Sequence, residues 1–257
     1  MCRSNPPPPR CYNPRNDPPR LRSLSDNISN RAIPAASRNH RRAHHHQTFA
    51  NADVRAFTAE LPPHAETLMH WHRHDYIYVT LGDSEVVNTI QGKDPVTVKL
   101  QDGQTGFLSG NFAHVARNLR DQPFRIVNVE LLQDDKLRHS PAHWDPAHPE
   151  DDRGLDILHG GTKEILFVKD GVRVSEIELQ PDGVVPSISR SGPVLLVAFN
   201  DLDIFTNDPR THGRHEPNPT APSHLSSGDT LWLPAGFQRP IINAGHHPAK
   251  FITLEFH

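Results

Sequence analysis

The stretch GQTGFLSGNFAHVARN, residues 103–118, returns later in the chain as GDTLWLPAGFQRPIIN, residues 228–243. The two align without a gap, sharing the leading Gly, then Thr, Leu, Phe and the closing Asn. A fainter echo precedes each copy: Leu61-Pro62-Pro63 lies over Leu179-Gln180-Pro181, Val79 over Val197, and Asp83 over Asp201. The displacement is 118 residues in the earlier window and 125 in the later one, because the second copy carries a longer loop, residues 208–224. Self-similarity at a fixed period means a repeated structural unit. The copies run over about 54–132 and 164–256. Within them lie short runs rich in Val, Ile, Tyr and Phe, such as 76–81, 96–100, 125–132, 194–199 and 251–256, punctuated by Gly, Pro, Asp and Asn. No segment of helical period intervenes. The pattern reads as an all-β sandwich or barrel, present twice.

The remaining sequence is of another kind. Residues 1–50 hold eight of the 25 prolines, nine arginines, and only Asp17 and Asp26 as acids. That segment carries about +7, which leaves about −10 on the rest of a chain whose net charge is −3. With almost no periodic apolar residues it cannot offset its own ordering entropy, and it is expected to be a disordered basic tail. Both cysteines, Cys2 and Cys11, lie in it, so neither a disulfide framework nor a cysteine-ligated metal site is expected. It lacks the apolar core of a secretory signal. Its Arg-rich, acid-poor composition leaves organellar targeting open as the alternative to a cytoplasmic protein. Residues 136–162 are rich in Pro, His and Asp and read as a connector. The expected order is thus a tail (1–50), a first barrel (51–135), a connector (136–162) and a second barrel (163–257). The charge balance excludes a nucleic-acid-binding polycation, and no apolar run approaches the ~20 residues of a helical membrane span.

Of 19 histidines, few sit where chemistry can use them. In LMHWHRHDYIYVTLGD, residues 68–83, strand alternation puts His70, His72, His74, Tyr76 and Tyr78 on one face. Two imidazoles two residues apart on a strand can converge on one ion as neutral ligands. His114, following a Gly-led turn, is expected on a strand returning beside the first and at the same ion. Tyr76 is a candidate fourth ligand or general base, His74 an alternative ligand, and Glu66 or Glu85 could supply a carboxylate. His139, His143 and His148 in the connector, and His212, His215, His224, His246 and His247 in loops, read as solvated.

These residues resemble the cupin pattern, G-x5-H-x-H-x3,4-E-x6-G followed by G-x5-P-x-G-x2-H-x3-N. His70 and His72 match its histidine pair, and Gly103, His114 and Asn118 match its second motif. Gly228, Pro234, Gly236 and Asn243 match the second motif in the later copy, with Arg239 where histidine is expected. The resemblance implies two tandem jelly-roll barrels. The departures are Tyr76 at the glutamate position, His64 at the first leading Gly, Gly82 or Asp83 at the trailing Gly, and Ser109 at the proline, with Gly110 displaced by one. In the second copy Ile188, Arg190, Val194 and Arg239 replace His70, His72, Tyr76 and His114, so that barrel is expected to be metal-free. It would be a cover for the first barrel or an oligomer interface, or else Arg190 and Arg239 would hold an anion.

The expected function is a metal-dependent enzyme acting on a small molecule, of the dioxygenase or lyase kind the resemblance implies. Imidazole ligation suits Fe, Zn, Ni and Cu alike, so the divalent metal, Fe, Zn, Mn, Ni or Cu, is not distinguished, with iron favoured by that kinship. A non-catalytic module holding a small ligand beside a structural metal is the alternative. No nucleic-acid or membrane partner is expected, and a homodimer is left open.

Overall fold

The computed structural model describes residues 44–133, 154–169, 171–186, 192–206, 222–237 and 239–256. The tail expectation for 1–43, most of the connector, and Ile188 and Arg190 lie outside them. Every element among the described residues is a strand. The first barrel contains β1 (His44–Ala50), β2 (Val54–Leu61), β3 (His70–His72), β4 (Tyr76–Thr80), β5 (Ser84–Ile90), β6 (Val96–Leu100), β7 (Thr105–Leu108), β8 (Phe112–Asn118) and β9 (Phe124–Leu131). They form a five-stranded sheet in the order β1-β2-β9-β4-β7 and a four-stranded sheet in the order β3-β8-β5-β6. The second barrel contains β10 (Gly154–Lys169), β11 (Val172–Val185), β12 (Val194–Ala198), β13 (Leu202–Phe205), β14 (Ser223–Leu225), β15 (Thr230–Leu233), β16 (Ile241–Asn243) and β17 (Ala249–Phe256). Here β14-β13-β16-β11-β17-β12-β15 make one continuous sheet, and β10 also pairs with β11.

The registers establish the repeat residue by residue. Tyr76 faces Leu108 as Val194 faces Leu233, and Leu61 faces Phe124 as Leu179 faces Ala249. Val86 faces Asn118 as Ile204 faces Asn243. Each pair is displaced by the 118 and 125 residues seen in the sequence. Backbone conformation repeats as well. His64 and Asp182 both have positive φ, 56° and 62°, and so do Asn111 (65°) and Gly236 (76°). The motif glycine that Asn111 replaces is therefore a left-handed position, which Asn tolerates better than most side chains. Gly110 answers a different need: a Cβ there would lie 2.5 Å from the His74 carbonyl.

Two expected boundaries need correction. Residues 44–50 are not tail but the first strand of the barrel, paired along β2. Three consecutive histidines and one Phe give no apolar alternation, so composition hid a strand that tertiary pairing makes. Its counterpart is β10: His45 faces Ala59 as Lys163 faces Ile177, and the register slips between Gln47 and Phe49 as it does between Ile165 and Phe167. Likewise 154–162 belong to β10 rather than to a connector.

The slip in β1 has a consequence for both faces. His45 and Gln47 face the barrel interior, whereas Phe49, paired with Ala56, is turned outward and stacks on Trp232 of the second barrel at 5.1 Å. Phe49 thus joins the main core, which lies between the barrels. There Ala56, Ile77, Val79, Val127 and Val129 pack against Val172, Val174, Leu195, Val197, Ile252 and Leu254. Thr58 Oγ1 donates to the Gly228 carbonyl at 2.9 Å, and Arg125 donates to the Ser227 carbonyl at 2.9 Å across the same junction. The second barrel is filled inside by Ile177, Leu179, Val194, Leu196, Ile204, Ile241 and Phe251. The first is not: where Val194 and Leu196 fill one barrel, Tyr76 and Tyr78 line the other, and a cavity of about 620 Å³ remains.

Candidate metal centre

His70 and His72 are on β3, an edge strand, and His114 is on β8 directly opposite His70. A one-residue step in the register of β3 would turn His70 and His72 away from His114. As folded, their Nε2 atoms converge. His114 Nε2 is 3.0 Å from His70 Nε2 and 3.1 Å from His72 Nε2, and the three ligand atoms all lie within 4.8 Å of one another. Donors sharing one ion at about 2.0–2.1 Å have such separations.

The hydrogen bonds behind the rings decide what the convergence means. His70 Nδ1 is 2.9 Å from the Leu68 carbonyl, which can only accept, so that nitrogen carries the proton. His114 Nδ1 donates likewise to Asn88 Oδ1 at 2.7 Å. Both tautomers are then fixed with bare Nε2 lone pairs aimed at each other. A proton between them would relieve the clash, but burial, with His70 and His72 adding to it, lowers the His114 pKa to about 3. Burial, followed by His70 and His45, lowers His72 to about 4. Neutral imidazoles with converging lone pairs fit a metal cation, and His70, His72 and His114 are the residues that would hold it.

Around the cluster, His72 stacks on Tyr76 (centroids 4.5 Å) and on Phe112 (5.3 Å). Tyr76 is 4% exposed, and burial, then Tyr78 and Glu130, push its phenol well above the ordinary value. It stands beside the cluster as a neutral phenol. His45 reaches in from β1, its ring 6.3 Å from that of His70. The deep end of the cavity is apolar, closed by Leu61, Val86, Ala116 and Phe124.

Other expected residues are placed elsewhere. The chain leaves the four-stranded sheet after His72 and enters the five-stranded one at Tyr76, and the bend between them takes His74 out of the cluster and off the cavity wall. Asp75 fixes this bend by accepting the Gly110 N–H at 2.8 Å. Glu66 and Glu85 neither join the cluster nor line the cavity. The carboxylates that do line it are Glu60 and Glu130, the latter opposite Tyr76 on β9. Asn118 has a structural role: its amide donates to the Leu61, Pro62 and Gln122 carbonyls, as Asn243 donates to those of Leu179 and His247. Arg239 is exposed.

Sequence reasoning missed Asn88, Glu130 and His45. Asn88 gives no signal of its own. Glu130 does, because Arg55 and Glu130 recur as Arg173 and Glu255 at the two displacements of the repeat.

No protein-family profile and no curated protein sequence matches the chain. Solved structures do. Salicylate 1,2-dioxygenase from Pseudaminobacter salicylatoxidans superposes with a TM-score of 0.53 at 13% identity, over 83% of this chain and 76% of its own. Oxalate decarboxylase from Lactobacillus farciminis gives 0.52 at 14%, over 80% and 78%. AerE from Microcystis aeruginosa gives 0.52 at 14%, over 84% and 98%.

Proposed function

On a chain that has the fold of the cupin superfamily, built as two tandem barrels, we propose a metal-dependent enzyme acting on a small molecule, of the dioxygenase or lyase kind. The observation that carries this reading is the set of three converging imidazoles, two of them tautomer-locked, with His114 Nε2 3.0 and 3.1 Å from the other two Nε2 atoms, on the wall of a cavity of about 620 Å³. A divalent metal would supply Lewis acidity, and iron would add access to dioxygen. The protein supplies the rest. His70, His72 and His114 hold the ion on one side and leave the cavity side open. Leu61, Val86 and Phe124 take the apolar body of the bound molecule and exclude water from it. Tyr76, beside His72, keeps its proton and donates a hydrogen bond to that molecule. Two of the similar folds, salicylate 1,2-dioxygenase and oxalate decarboxylase, act on small organic acids, and that class is the first to try.

The test is turnover by protein loaded with Fe(II), Mn(II), Ni(II) or Zn(II), followed as oxygen uptake with salicylate and related hydroxy acids and as carbon dioxide release with oxalate. Metal-dependent turnover of one acid, lost in His114→Ala and reduced in Tyr76→Phe, is expected. Saturable binding without turnover under any metal would favour a binding protein with a structural ion.

A further inference from the structure

The two copies differ at one carboxylate. In the second barrel Glu255, 1% exposed, is held by two cations: Lys163 Nζ donates to Oε1 at 2.7 Å, and Arg173 Nη2 donates to Oε2 at 2.7 Å. Its counterpart is Glu130, since Glu130 faces Tyr76 as Glu255 faces Val194. Arg55, the counterpart of Arg173, donates to Glu130 Oε2 through Nε at 2.8 Å and through Nη2. The counterpart of Lys163 is His45. Its imidazole makes no hydrogen bond to Glu130, and among the described residues no donor reaches Oε1. Glu130 is 5% exposed, and both it and His45 line the cavity.

We propose that Glu130 Oε1 receives an ammonium group of the small molecule bound in the first barrel, in the place that Lys163 fills in the second. The second barrel supplies this cation from its own chain. The first has exchanged the lysine for a shorter ring and kept both the carboxylate and the guanidinium. Glu130 lines the cavity with one carboxylate oxygen that no donor among the described residues occupies, and a charge-assisted bond to a ligand there is about twice as strong as one between neutral groups. The subsite also lies close to the cluster: Glu130 faces Tyr76 across the β4–β9 ladder, and Tyr76 stacks on His72. A ligand bridging both is a short amine whose other end carries oxygen donors. Only that other end rests on the metal reading proposed above.

The experiment is an NMR titration of the full chain with n-butylammonium, with n-butanol as the neutral control. It is run on chelator-treated protein, so that failure of the metal site does not affect it. Saturable shifts at cavity residues are expected for the wild type, with affinity at least about 10-fold weaker for butanol and for Glu130→Gln, the scale of a lost charge-assisted bond. His45→Lys, which restores the internal cation, should abolish binding, whereas His45→Gln should retain it. His45→Lys should also melt at a higher temperature than His45→Gln, with the gain lost when Glu130→Gln is added. Equal affinity for butanol and butylammonium, undiminished affinity in Glu130→Gln, or a stability gain that survives the double substitution would overturn the proposal. Should Glu130→Gln fail to fold, equal butylammonium binding by the two His45 variants would overturn it alone.

Discussion

Asn88→Ala tests whether the histidine cluster is organised from behind. Asn88 touches none of the Nε2 atoms. Its Oδ1 accepts the His114 Nδ1–H at 2.7 Å and so dictates which nitrogen of that ring is bare. Without Asn88 the ring is free to flip or change tautomer, and in the ordered position its Nδ1–H is left unsatisfied. A buried polar group without a partner costs about 1–3 kcal/mol. Loss of the partner that orients a metal-ligating histidine lowers affinity about 10–100-fold, which is about 1.4–2.7 kcal/mol. The two estimates agree, so the substitution should weaken metal binding by one to two orders of magnitude. Asn88→Asp, which keeps the acceptor, should bind at least as tightly as the wild type. The assay is competition for Zn(II) against a coloured chelator at pH 7.5, with far-UV circular dichroism to confirm the fold. A folded Asn88→Ala protein that binds within about twofold of the wild type would refute the reasoning.

Three further outcomes follow from the same geometry. Because His72 and His114 are held near 4 and 3 against an ordinary 6.5, the metal-free fold takes up fewer protons than the unfolded chain between pH 6.5 and about 4. Stability is therefore full above pH 6.5 and falls as pH drops through that window. At pH 5 the ideal loss is about 2 kcal/mol per histidine, reduced to about 1 because both rings border a cavity that admits water. Urea midpoints measured in chelator at pH 7 and pH 5 should show the drop, and His114→Asn should flatten it. Ile77→Ala, in the core between the barrels, should cost about 2–5 kcal/mol, and calorimetry should still show both barrels melting in one transition. Separate transitions would mean that the shared core does not couple them. Asn118→Ala should cost about 1–3 kcal/mol through its orphaned carbonyls while leaving metal content unchanged, a dissociation that metal analysis beside thermal melts will reveal.

Much of this was legible in the sequence, and where legibility failed the reasons are physical. The repeat could be read because Gly103 and Gly228 occupy left-handed turns that few residues can fill, and because the amides of Asn118 and Asn243 hold the same loop carbonyls in each copy. His70, His72 and His114 could be read because strand alternation and a return strand bring them to one face. His74 could not, because alternation holds only within a strand and the chain changes sheets between His72 and Tyr76. The strand at residues 44–50 escaped notice because its stability comes from pairing with β2 and from Phe49 on Trp232, neither of which leaves a periodic trace. Glu130 was masked by the apolar run around it, although Arg55 and Arg173, Glu130 and Glu255 mark the same ion pair twice.

The central claim is a single metal ion held by His70, His72 and His114, and elemental analysis of the purified protein tests it most directly. After equilibration with excess divalent metal and desalting at pH 7.5, the account predicts about one ion per chain in the wild type and little in His70→Ala or His114→Ala, each still folded. Equally low metal in all three proteins, or equal retention in the variants, would contradict it.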